Sequence, residues 1–86
     1  MERIKLGFPI THDKVEIKEF TMRRPTVGDQ VDNDNLGGSV GDKELRLFAN
    51  LCETSPQALR KMDISDYREM QQVYRGFLKP KAASTP

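Results

Sequence analysis

The chain has 86 residues, enough for one small domain. Its 36% hydrophobic content, with no tryptophan, leaves a thin core, since a domain this small buries only about 60% of its unfolded surface. Net charge is +1, and the segments carry +2 (1–25), −4 (26–42) and +3 (43–86), so no part is basic enough for a nucleic-acid footprint.

Residues 2–8 alternate, with Ile4, Leu6 and Phe8 on one side and Arg3, Lys5 and Gly7 on the other, which predicts a half-buried strand. Pro9 to Asp13 reads as the connection. Val15 and Ile17 open a second strand, and the apolar phase slips at Glu19 because Phe20 and Met22 come next. A bulge near Lys18-Glu19, or a change of direction, produces such a slip. The two strands predict an antiparallel hairpin over 2–22 with one apolar face. It needs helices beneath it or strands from another copy, because a lone hairpin is marginal in water.

Arg24-Pro25 ends the strand. Thr26 and Asp29 stand at capping-box spacing before a short helix over 26–31, with Val27 and Val31 at i, i+4. Residues 32–41, rich in Asp, Asn and Gly, read as a mobile loop. The helical part is predicted over 42–78. Leu45, Phe48 and Cys52, widened by Leu47 and Leu51, form the stripe of a helix over 42–53. Ser55-Pro56 caps a second helix ending near Met62. Asp63 and Ser65 cap a third over 65–78, with Tyr67, Met70, Val73, Tyr74, Phe77 and Leu78 on a broad apolar face. The tail 79–86 has nothing to bury and reads as disordered. The class is therefore α+β, one domain over 1–78 with a hairpin followed by three or four helices.

No catalytic or metal centre emerges, and no cofactor is implied. His12 is the lone histidine and Cys52 the lone cysteine, far apart in the chain, so neither a Cys–His pair nor a zinc site is suggested and an intramolecular disulfide is impossible. Cys52 lies on a helix stripe, where a small buried thiol is expected. Asp32, Asp34 and Gly37 begin like a calcium loop, but Lys43 stands where its bidentate Glu belongs. Gly37 to Gly41 lacks the strand and Lys-Ser/Thr ending of a phosphate cradle. No apolar run approaches the ~20 residues of a membrane span, and no signal-peptide core opens the chain, so a cytoplasmic place is expected. Two binding readings stay open: an apolar groove for another protein, and a three-helix DNA reader. The latter is weakened because Asp66 and Glu69 offset Arg68 and Arg75.

Ile4-Lys5-Leu6 with Pro9 opens a series that continues with Arg23-Arg24-Pro25-Thr26-Val27-Gly28-Asp29, Phe48 to Cys52, Ser55-Pro56, Leu59 to Asp63, Asp66-Tyr67 and Phe77-Leu78, covering roughly residues 3–78. In order and spacing this series resembles the small tail assembly chaperones of Mu-like and P2-like bacteriophages. The resemblance implies a non-enzymatic protein of the infected host's cytoplasm, absent from the finished virion, that keeps the tape measure protein soluble and leaves as the tail tube polymerises. Related families often also make a longer frameshifted form that brings in tail tube protein, and the small domain with its marginal hairpin makes a homo-oligomer the expectation. A minor structural tail component is the remaining alternative. Periodicity nominates Phe48, Leu51, Tyr67, Met70, Tyr74 and Phe77 as contact residues for a protein partner, with no nucleic acid and no membrane involved.

Overall fold

The computed structural model describes residues 1–80. The elements are β1 (Glu2–His12), β2 (Val15–Met22), α1 (Val27–Asn35), α2 (Val40–Leu51), α3 (Pro56–Leu59) and α4 (Ile64–Leu78). This is the expected α+β order, an antiparallel hairpin followed by helices. Most of the expected disordered tail, residues 81–86, lies outside the described residues.

The hairpin turns through Asp13 and Lys14, both left-handed at φ 51° and 64°, the geometry of a two-residue turn matched to strand twist. From the turn the ladder runs His12↔Val15, Thr11↔Glu16 and Ile10↔Ile17, then resumes at Lys5↔Glu19, Ile4↔Phe20 and Glu2↔Met22. Between these stretches Leu6 to Pro9 stand opposite Lys18 alone. The expected irregularity is thus opposite Lys18, but the extra residues belong to the first strand, which continues past Pro9 instead of ending there. Proline is tolerated at a bulge because no ladder bond is asked of it. The bulge also turns Phe8 outward: expected beside Ile4 and Leu6, it is 60% exposed, and Ile10 takes the core position.

The hairpin's inner face (Ile4, Leu6, Ile10, Phe20, Met22) meets Leu47, Phe48 and Leu51 of α2, Leu59 of α3 and Met70 of α4 in one core. Met22, Phe48, Leu51, Leu59 and Met70 are essentially fully buried. Burial of side chains of this size contributes about 1.5–3 kcal/mol each, so these few carry much of the fold.

Each helix starts on a side-chain cap. Thr26 Oγ1 accepts from the Asp29 amide at 3.3 Å while Asp29 Oδ2 accepts from the Thr26 amide at 2.8 Å, a complete capping box. Ser39, Ser55 and Asp63 accept from Asp42, Ala58 and Ser65 amides at 3.1, 3.2 and 3.0 Å. α1 runs on to Asn35, four residues into the stretch expected as a loop, and the connection shrinks to Leu36–Ser39. Arg46 explains the extension. Its Nε donates to Asn33 Oδ1 and its guanidinium to the Asn33 and Gly37 carbonyls, placing a cation on the negative end of α1. α2 closes through Glu53 at φ 54°, with the Thr54 amide reaching the Ala49 carbonyl at 2.9 Å, a Schellman arrangement.

Candidate functional site

Two carboxylates hold the frame on which the helical surface sits. Asp66, in the first turn of α4 and 6% exposed, accepts from the Gly7 amide at 2.9 Å and the Phe8 amide at 3.0 Å. It satisfies the two donors freed by the bulge and fixes α4 against the hairpin. Asp29 takes a two-pronged contact from Arg23 at 2.7 and 2.9 Å, a third bond from the Thr26 hydroxyl at 3.0 Å and the cap bond. The Arg23 hydrogen bonds, followed by those of Thr26, hold its carboxyl well below the usual carboxylate range. Arg23 is pushed up in turn, chiefly by the same contact.

The six nominated residues divide into two sets. Phe48 (1% exposed), Leu51 (1%) and Met70 (0%) are core and offer no surface to a partner in this fold. An amphipathic stripe marks the buried face first, and its centre is the part most deeply covered. Tyr67, Tyr74 and Phe77 are half-buried at the core's margin. Phe48 supports both tyrosines from beneath, with ring centroids 5.7 Å from Tyr67 and 5.1 Å from Tyr74. The Tyr67 hydroxyl donates to Glu44 Oε1 at 2.7 Å, and Gln71 donates to the same oxygen at 2.9 Å. Burial, then the Glu44 carboxylate, raises the Tyr67 pKa.

Each marginal aromatic lines its own depression. Tyr67 lines a groove of about 260 Å³ with Leu45, Leu59, Met62 and Ile64, bounded by Glu44 and Arg60. Tyr74 lines one of about 170 Å³ with Val27, Leu47 and Leu78 between α1 and α4. Phe77 lines a third beside Arg24, whose guanidinium lies 5.6 Å from the ring centroid. The exposed rims were not among the nominated contacts: Val27 (80% exposed) and Leu78 (59%) stood on apolar faces read from the sequence, whereas Ile64 (63%) lay outside the stripe. Ile64 stands one turn before Tyr67, so extending the stripe back to the cap would have found it.

The remaining reactive groups are occupied structurally. Cys52 is buried, its thiol pushed up to about 12 by burial, which leaves it unreactive. His12 Nε2 lies 3.3 Å from Ser55 Oγ and 3.5 Å from Asp13 Oδ2, tying the hairpin tip to the cap of α3. Among the described residues no cluster of His, Cys, Asp or Glu could hold a metal ion. No helix among them is long and apolar enough to cross a membrane.

No curated protein and no solved structure matches the chain. A family model described as "Phage tail assembly chaperone proteins, E, or 41 or 14" matches residues 3–79, nearly the whole of the folded part. The chain, with its hairpin, its capped helices and its apolar-rimmed grooves, belongs to this family of phage tail assembly chaperones.

Proposed function

We propose that the chain binds the tape measure protein, keeps it soluble, and is displaced as the tail tube polymerises around it. The observation that supports this reading is the apolar rim of the helical half, where Ile64, Val27 and Leu78 stand exposed beside grooves lined by Tyr67 and Tyr74. A long helix with exposed apolar stripes aggregates, and a shallow groove can cover part of such a stripe without binding it irreversibly. Tyr67 and Tyr74 are seven residues apart on α4, ~10.5 Å along the axis. That spacing suits apolar residues at i and i+7 of a client helix. Tyr67, Tyr74 and Phe77 are the contact residues in this reading, and Phe48, Leu51 and Met70 are their support.

The role is non-enzymatic and belongs to the host cytoplasm before the virion is complete. Several copies act on one client and associate with one another, since many weak contacts combine into firm but releasable coating. A longer frameshifted product would bring tail tube protein to the same assembly. The grooves are tested by titrating a tape measure fragment against the chain and against an Ile64→Asp, Leu78→Asp variant. Both sites are exposed, so circular dichroism should be unchanged while affinity falls at least tenfold; unchanged affinity would remove the grooves from the interface.

A further inference from the structure

The hairpin has two outer edges, and they are unlike. That of β1 is broken: its bulge spans Leu6 to Pro9, Pro9 has no amide hydrogen, and Asp66 takes the Gly7 and Phe8 amides. That of β2 contains neither proline nor glycine from Val15 to Met22. Among the described residues its backbone pairs with β1 alone. An eight-residue strand with an open row of donors and acceptors is a template for another strand, and proteins normally blunt such an edge as β1 is blunted here.

We propose that the open edge of β2 joins two copies of this chain, antiparallel about a two-fold axis at Ile17. A two-fold interface must be self-complementary, each residue meeting its counterpart across the axis. Centred on Ile17, the strand meets that condition. Glu16 faces Lys18 of the second copy and Lys18 faces its Glu16. Both side chains are exposed and lie on the same side of the sheet, 3.8 Å apart within one hairpin. On the other side Ile17 is half-buried and pairs with the buried Ile10. The joined sheet therefore has four strands and carries Ile10, Ile17, Ile17 and Ile10 in one row, covering the apolar surface Ile17 leaves open. It also relieves the marginal stability of a two-stranded sheet.

This inference gives the self-association proposed above a surface, and its test needs no client, so it stands or fails apart from the tape measure reading. Analytical ultracentrifugation of the full chain should detect a concentration-dependent dimer. Lys18→Glu sets like charges opposite each other twice per dimer and should weaken the dimer about tenfold. The swap Glu16→Lys with Lys18→Glu restores both opposite-charge pairs and should recover the original affinity. Circular dichroism should be the same for all three chains, because both positions are exposed. A monomer at every concentration would overturn the proposal, as would a dimer indifferent to Lys18→Glu or one that the swap fails to restore.

Discussion

Asp66 and Asp29 each use a carboxylate to finish a piece of backbone that the local sequence leaves incomplete. Asp66→Ala strips the Gly7 and Phe8 amides of a charged acceptor in a part-buried site, a loss of about 2–3 kcal/mol. Urea unfolding should register it, and hydrogen exchange should quicken first at the bulge. Asp29 carries a pH signature as well. Its folded pKa is depressed, so its contribution is complete above the unfolded value near 4 and is lost as pH falls from there through the folded value. The stability gap between the native chain and Asp29→Asn should hold steady at neutral pH and close in acid. A gap unchanged down to pH ~2 would mean that the Arg23 contact contributes nothing. These two acids differ in how they could be read. Thr26 and Asp29 announce their cap at three-residue spacing. Asp66 meets a bulge fifty-nine residues away, and nothing in its neighbourhood signals that partner.

At the scale of elements, what is local was legible. Ser55-Pro56, Asp63 and the Thr26 box mark where α3, α4 and α1 begin. The errors arise where tertiary contacts override local preference. β1 crosses Pro9 because a bulge and Asp66 accommodate it, and α1 persists through Asp32, Asn33 and Asp34 because Arg46 caps its far end. None of the residues of α1 is buried, so polar ties from Arg23, Asn50 and Arg46 keep this short helix in place. The turn after α2 gives a separate prediction. Glu53 occupies a left-handed position where glycine is at ease, at φ 54°. Glu53→Gly should stabilise the chain by about 1 kcal/mol in thermal or urea unfolding. A loss of stability would show that the Glu53 side chain has a role that its backbone geometry does not reveal.

For the whole molecule, the apolar stripe of the sequence located the helical half correctly but could not divide its residues between core and surface. Phe48, Leu51 and Met70 share the periodicity of Tyr67, Tyr74 and Phe77, and only packing against the hairpin separates them. Substitutions therefore report different things. Leu51→Asp buries a charge and tests folding, whereas Ile64→Asp leaves the core alone and tests the surface. The most direct test of the chaperone reading is co-expression of this chain with the tape measure gene of its own genome, followed by affinity purification of the chain. A soluble complex holding several copies per tape measure protein, together with an insoluble tape measure protein in the control expressed without the chain, is the predicted result. An insoluble tape measure protein with no complex, and a chain retained instead on duplex DNA at low salt, would contradict it.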